Sequence, residues 1–323
     1  MFHDAHDWAL VLAAGEGSRL RSLTTTDEGV PVPKQFCSLD GGPSLLQEAL
    51  HRAESVAHFT RVCTVVAAAH RPWWAEPLQM RSRANVVIQP RNRGTAIGIL
   101  LPLLHLARRD PRATVALLPS DHFVENERAL ARALRGAMID AATYSEDVLL
   151  LGIRPDHADP ELGYIVPRRT DGVDLPSVAQ FVEKPRRADA ERLIDRGALW
   201  NSFIVVARLE SLLALYERRF DEVLTALDLA IEREIAGDLR AVTDLYERLP
   251  DIDFSRHVLA GQEEFLRVVP VPSCGWSDLG TPHRVAAALR SPRAVPRSVA
   301  PHITPAAVLD LASRHGRLQL ADA

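Results

Sequence analysis

The sequence predicts an α/β fold built on a doubly wound, mostly parallel sheet. Three observations carry this reading. Short, almost continuously apolar runs recur through the first half, and amphipathic stretches of helical length separate them. The first run also leads straight into a Gly-rich, Arg-carrying loop, "VLAAGEGSRLRSL". Near-continuous apolar strands suit a sheet covered on both faces. Strand–helix alternation suits parallel crossovers. Ligands of such sheets lie beyond the carboxyl ends of the strands, so chemistry is sought there.

In chain order, the apolar runs predict strands at 8–14, 61–69, 85–89, 113–121 and 147–153. Amphipathic stretches predict helices at 44–56, 94–108 and 126–142. The second half is less regular, with strands predicted at 163–167, 178–185, 201–207 and 264–271. Leu224, Leu227, Ile231 and Ile235 form one apolar stripe, which predicts a helix over 220–236. Residues 1–290 read as one domain. Residues 291–323 read as a Pro-containing linker followed by a short helical tail, with an amphipathic piece at 306–315.

Composition narrows the function classes. A net charge of −4 gives no basic excess, so nucleic acid is not an expected partner. Cys37, Cys63 and Cys274 are scattered with no CxxC pair, which favours a reducing compartment over a disulfide framework. The apolar run 9–14 is too short to span a bilayer and lacks the basic flank of a signal peptide. A cytoplasmic protein without a membrane partner is therefore expected. His3 and His6 flank acidic residues, but without a further ligand cluster they read as a solvated terminus.

The loop after the first strand fails both common phosphate-binding patterns. A Walker A loop needs a Lys directly after its glycines, whereas Ser18, Arg19 and Leu20 follow Gly17. A Rossmann turn needs a third glycine, where Leu20 stands, and an acid closing the second strand, where Ala69 and His70 stand. What remains is G-x-G-x-R followed by "PVPKQF". Glycines let backbone N–H groups approach phosphate oxygens, and Arg19 adds a forked charge suited to a triphosphate. Lys34 would bring a second cation to the same place. An ordinary tight turn at Gly15 and Gly17 stays open on this stretch alone.

"LAAGEGSRL" with "PKQF" resembles the signature of the sugar-1-phosphate nucleotidyltransferases, most closely the mannose-1-phosphate guanylyltransferases. The similarity recurs in order through "QPRNRGTA", "LPSDH", "ELGYI", "FVEKP", "WNS" and "WSDLG", covering about residues 8–284. The resemblance implies a Rossmann-like, GT-A-like nucleotide-diphospho-sugar transferase fold with sugar-binding insertions. It implies transfer of a nucleotidyl group from an NTP, GTP first, to a sugar 1-phosphate, mannose 1-phosphate first. Such chemistry brings two anions together, which calls for cations and a metal rather than a nucleophilic side chain.

By resemblance the catalytic set is Arg19, Lys34, Asp121, Lys184 and Asp278. Arg19 would steady the triphosphate, Lys34 and Lys184 would neutralise the reacting phosphates, and Asp121 and Asp278 would bind Mg²⁺. Two aspartates without His or Cys suit that hard cation, and Asp121 ends an apolar strand at the ligand-binding edge. His122, beside it, is assigned a structural role because neighbouring strand residues point in opposite directions. The implied nucleotide contacts are Ala13, Gly15, Gly17, Gln89, Arg93, Gly94 and Thr95. Gln89 would read a base edge and Gly94 would leave room for the base. The N-terminus of the helix beginning at Gly94 would favour anions. Gly163, Glu183 and Asn201 would hold the sugar.

Departures from the family pattern carry expectations of their own. The stretch between Arg19 and Lys34 is longer than usual, with Ser22 where Pro is common, and reads as a lid over the triphosphate. Phe203, in "WNSF" rather than "WNSG", would reshape the sugar pocket. "RGTA" in place of "RNTA" leaves thymidylyl, uridylyl and adenylyl transfer open. The tail leaves no room for a cupin-like isomerase domain or a β-helix, so a single activity is expected, with the tail packing on a partner in a homodimer. A non-catalytic, regulatory pyrophosphorylase-like subunit is the rival, and retention of all five charged catalytic positions favours the enzyme.

Overall fold

Nine strands form one sheet in the computed structural model, which describes residues 4–26, 28–168 and 175–291. They are β1 (Asp7–Ala13), β2 (Val62–Ala67), β3 (Val86–Gln89), β4 (Thr114–Pro119), β5 (Val148–Ile153), β6 (Gly163–Pro167), β7 (Val178–Glu183), β8 (Leu199–Arg208) and β9 (Leu266–Val271). The main path runs β3-β2-β1-β4-β8-β5-β9. β3, β2, β1 and β4 are mutually parallel, and β5 is parallel to β9. Only β8 runs against its neighbours in that path, pairing Ala116 with Val206 on one side and Leu149 with Val206 on the other. The doubly wound, mostly parallel sheet is the one the sequence predicts. β6 and β7 form an antiparallel ribbon that joins the sheet through Tyr164 opposite Trp200.

Every residue of β2, β4 and β5 is buried, as strands covered on both faces must be. Alternation along β1 divides two cores: Ala9, Val11 and Ala13 face one, Trp8 and Leu10 the other. The first core takes α1 (Leu45–Glu54), α4 (Glu127–Thr143), α5 (Arg187–Asp195) and α8 (Pro282–Leu289). The second takes α3 (Gly94–Ala107), α6 (Leu209–Ile235) and α7 (Ala241–Tyr246), while α2 (Arg71–Trp74) is a single turn. Ser44 and Gln47 form a reciprocal capping box on α1, and Asn126 and Thr281 cap α4 and α8. No helix among the described residues is long and apolar enough to cross a membrane.

The differences from the sequence reading have local causes. The helix predicted at 220–236 is the second half of α6, which breaks at Phe220 (φ −138°, ψ 36°). Its first half buries Leu209, Leu212, Leu215 and Tyr216. The four short helices α2, α5, α7 and α8 carry too few turns for a periodic signal, and none was predicted. The stretch between Arg19 and Lys34, expected as a lid, is tied down instead. Thr26 N–H donates to Val30 O at 2.9 Å, Val32 N–H donates to Thr24 O at 2.8 Å, and Leu23, Thr24 and Val32 are buried. His6 is also anchored, with Nδ1 2.8 Å from Asp110 Oδ1. His3 and the linker and tail from 292 onward lie outside the described residues.

Candidate active site

The carboxyl ends of β1, β3 and β4 open on one cavity of about 440 Å³, completed by the β6–β7 ribbon, β8 and the loop before α8. Gly15, Arg19, Gln89, Gly94, Thr95, Asp121, Gly163, Glu183, Lys184, Asn201 and Asp278 all line it. Of the residues singled out in the sequence, Ala13, Gly17, Lys34 and Arg93 are absent from that lining.

Gly17 and Lys34 explain each other. Gly17 adopts φ 61°, and a Cβ there would lie 2.9 Å from Lys34 N. The glycine therefore lets the phosphate-type loop seat on the Lys34 backbone. Gln35, which sequence reasoning passed over, fixes the loop from below. Its Nε2 donates to Ala13 O at 3.1 Å and Gly15 O at 2.8 Å, so the Ala13 carbonyl serves the loop itself. Lys34 is buried, with Nζ 3.0 Å from Asp121 Oδ2 and donating to Asp278 O at 2.7 Å. It holds the two aspartate-bearing segments together. Arg19 reaches across the mouth to Glu161, NH1 to Oε2 3.3 Å, with both side chains about half exposed. Exposed pairs of this kind contribute only about 0–1 kcal/mol, so an anionic ligand can take Arg19 at little cost.

Burial alone would raise the Asp121 carboxyl, but Lys34 and His122 outweigh it and hold it below its ordinary value. Asp278 follows the same logic: burial raises it, and Arg284, His122 and Lys34 more than reverse that. Arg284 donates to Asp278 Oδ1 and to Asp159 Oδ2, and Gly280 N–H donates to Asp278 Oδ1 at 2.9 Å. The sequence showed no sign of Arg284 except its place six residues after Asp278, where the Thr281-Pro282 start of α8 turns it back. His122 Nδ1 accepts from Trp276 Nε1 at 3.2 Å. Burial drives its pKa down to about 4, so it is neutral at pH 7.

Two anionic carboxylates on one cavity wall are hard-oxygen donors of the kind Mg²⁺ takes, with phosphate oxygens and water completing its shell. No group of three or more His, Cys, Asp or Glu suited to a metal occurs among the described residues. Two carboxylates would leave the other positions of such a cation to substrate oxygens and water.

At the other end, Gly163 pairs with Glu183 across the ribbon. A Cβ on Gly163 would lie 2.6 Å from Glu183 Oε2 and 3.3 Å from Asn201 Cβ, so the glycine is needed for that packing. Burial first, and the charge of Asp253 second, raise the Glu183 carboxyl. On a continuous strand Glu183 and Lys184 would face opposite ways. Instead β7 ends at Glu183 and Lys184 turns into the left-handed region at φ 50°, so both line the cavity. The other two non-glycine residues at positive φ among those described, Phe203 (59°) and Leu279 (50°), also belong to the site's segments. Left-handed backbone costs roughly 1–2 kcal/mol for such residues, and all three lie in segments that border the cavity.

Gln89 is buried at the end of β3. Its Nε2 donates to Arg91 O at 2.8 Å, while its Oε1 has no hydrogen-bond partner among the described residues. Gly94 does not leave its space to a base: at φ 79° its Cβ would lie 2.3 Å from Ile252 O. Two donors of the α3 N-terminus are correspondingly occupied. Gly94 N–H donates to Asn92 Oδ1 at 3.0 Å and Ala96 N–H to Ile252 O at 2.9 Å. These donors are spent on the chain itself rather than held open for an anion. Thr95 Oγ1 accepts from Phe254 N–H at 2.8 Å. Arg93 turns away, its Nε donating to Tyr246 O at 2.6 Å and its NH2 to Glu247 O at 2.9 Å. The 252–255 segment was missed because "DIDFS" has neither strand nor helix periodicity.

Known proteins share sequence and fold with this chain. The nucleotidyl transferase family model matches residues 8–291. The Salmonella typhimurium mannose-1-phosphate guanylyltransferase ManC is 31% identical over 287 residues, 85% of this chain and 58% of ManC. The Pseudomonas aeruginosa alginate biosynthesis protein AlgA is 29% identical over 284 residues, 84% of this chain and 56% of AlgA. The chain thus spans little more than half the length of these curated relatives. A solved structure described as mannose-1-phosphate geranyltransferase from Thermus thermophilus superposes with a TM-score of 0.73 at 28% identity. That match covers 88% of this chain and 79% of the other.

Proposed function

The chain belongs to the nucleotidyl transferase family, and from that premise we propose that it joins GTP and mannose 1-phosphate into GDP-mannose with release of pyrophosphate. The observation that carries the reading is the make-up of the cavity. Two anionic aspartates and two cationic side chains, Arg19 and Lys184, share it with Gly163, Glu183 and Asn201. A space with charge for phosphates at one end and hydroxyl-binding groups at the other suits a sugar phosphate beside a nucleotide.

In the proposed reaction a phosphate oxygen of the sugar 1-phosphate bonds to the α-phosphorus of the NTP. The bond from that phosphorus to the bridging oxygen breaks, and pyrophosphate leaves with the electron pair. The attacking oxygen is already anionic, so no strong base is needed; the barrier is repulsion between anions. Lys184 is assigned to the sugar phosphate and Arg19 to the triphosphate, exchanging Glu161 for the ligand. Lys34 keeps Asp121 and Asp278 anionic and in register. Mg²⁺, held by those aspartates, would supply charge stabilisation to the phosphates. The open Gln89 Oε1 accepts a hydrogen bond from a base N–H, which every common base offers on some edge. Guanine and mannose are therefore preferred on the named activity of the Salmonella relative.

The test offers the protein each NTP against a panel of sugar 1-phosphates with Mg²⁺ and measures pyrophosphate release. GTP with mannose 1-phosphate is expected to turn over fastest. No release with any pair would overturn the enzyme reading. Release with UTP, dTTP or ATP but never GTP would overturn the base assignment alone.

A further inference from the structure

We propose that Asp253 and Ser255, on the segment that clasps the start of α3, read hydroxyl groups of the sugar together with Glu183. This rests on the sugar-1-phosphate reading above. Both side chains line the same cavity as Gly163, Glu183 and Asn201. Ser255 is only 3% exposed, and what it shows of its surface lies on that cavity wall. A hydroxyl on a cavity wall is a hydrogen-bonding partner for what enters the cavity.

Asp253 lies close enough to Glu183 for its charge to raise that carboxyl further, after burial. Lys184, Arg256 and Arg19 also act on Glu183 and lower it, but burial and Asp253 prevail, so the space between the two carboxylates suits a neutral ligand part. Carboxylates only accept hydrogen bonds, and neighbouring hydroxyls supply the donors. Ser255 can donate or accept, which completes a reader for a vicinal diol. A hexose and the ribose of the nucleotide both carry one. The proximity of Asp253 to Glu183 assigns the pair to the hexose.

The wall is held rigidly. Asp253 Oδ1 accepts from Arg256 N–H at 2.9 Å, and Asp253 N–H donates to His257 Nδ1 at 2.9 Å. Phe254 N–H is tied to Thr95 Oγ1 at 2.8 Å, and Ile252 N–H donates to Arg93 O at 3.1 Å. Phe203, at φ 59°, sets its ring edge-on to Phe254 at 6.0 Å between centroids and also lines the cavity. Groups fixed before the ligand arrives discriminate between hydroxyl patterns without an ordering cost.

The experiment assays Asp253→Asn and Ser255→Ala with the substrate pair the wild type uses best, after thermal melting has shown both folded. Asn at 253 keeps an acceptor for Arg256 N–H. The KM for the sugar 1-phosphate is expected to rise about tenfold or more in Asp253→Asn and about threefold in Ser255→Ala, as lost hydrogen bonds to charged and neutral groups do. The KM for the NTP stays unchanged. For one monodeoxy sugar 1-phosphate, lacking the hydroxyl that is read, wild type and Asp253→Asn become equal. A rise in the NTP KM instead, erased by a 2′- or 3′-deoxy-NTP, would move the pair to the ribose and overturn the sugar assignment. Unchanged KM values for both substrates would overturn the proposal while wild-type turnover leaves the nucleotidyl-transfer reading standing. Absence of wild-type turnover with every pair would remove both.

Discussion

At one end of the cavity the charges are already paired within the protein; at the other, polar atoms stand open. Lys34 lies between Asp121 and the Asp278 carbonyl, and Arg284 bridges Asp278 and Asp159. At the recognition end Gln89 Oε1 has no hydrogen-bond partner among the described residues, Ser255 lines the wall, and Glu183 lies near a second carboxylate. Buried ion pairs lose much of their attraction to desolvation, so the first arrangement is better understood as fixing geometry than as adding stability. Open buried polar groups penalise every ligand that fails to match them, and that is how a site discriminates. On the proposed function, the paired charges serve the phosphates common to all substrates and the open groups serve the parts that differ.

The largest effect on turnover alone is expected at Lys184. Lys184→Met removes a cation from the cavity without touching the Lys34 and Arg284 pairs. Turnover is expected to fall about 10²–10³-fold, the usual cost of losing one preorganised charge on a reacting anion, with melting little changed. Steady-state kinetics beside a thermal melt check both halves. Arg284→Gln should act oppositely on the two readouts, lowering stability by about 3 kcal/mol because Asp278 and Asp159 are left buried without their cation. Denaturant unfolding measures that loss, and a melt equal to wild type would show the pair to be incidental.

A smaller effect comes from His122. Its pKa is about 4 when folded against 6.5 ordinarily, so the unfolded chain takes up a proton that the folded chain refuses as pH falls between those values. Stability therefore drops on acidification through that window, by up to about 3 kcal/mol from this residue. His70 and His105, also lowered by burial, add to the slope. His122→Gln keeps an acceptor for the Trp276 N–H and cannot titrate, so urea melts from pH 7 to 4 should show a shallower dependence. The carboxylates act lower still: Asp121 and Asp278 lie below their ordinary values, so their contribution is intact at neutral pH and is lost as pH falls through the lowered range. The smallest change is expected for Glu161→Gln, which releases Arg19 from an exposed pair. Its melting should match wild type, while the KM for the NTP falls no more than a few-fold.

Much of the phosphate end was legible in the sequence because strand order alone carries its residues to one edge. Asp121 follows an apolar strand, and Gly15 and Arg19 follow another, so topology predicts their meeting without side-chain detail. Gln35 and Arg284 were not legible, since each acts through one contact across the fold that no local pattern announces. The recognition end was legible in part. Glu183 and Asn201 were singled out by motif, but the left-handed turn that carries Lys184 to the same wall is not written in strand alternation. Gly94 was noticed for the wrong neighbour, its missing Cβ making room for Ile252 rather than for a base. Asp253 and Ser255 sit in an aperiodic segment whose place is fixed only by tertiary hydrogen bonds to α3.

On the proposed function, Asp121 and Asp278 together hold the cation that lets two phosphates meet. This role is tested most directly by following pyrophosphate release from GTP and mannose 1-phosphate while Mg²⁺ is titrated, in the wild type and in Asp121→Asn and Asp278→Asn. Turnover is expected to require Mg²⁺ in the wild type and to fall at least about 10²-fold in each variant, with both variants folded. Turnover without any divalent cation, or near wild-type rates in either variant, would contradict it.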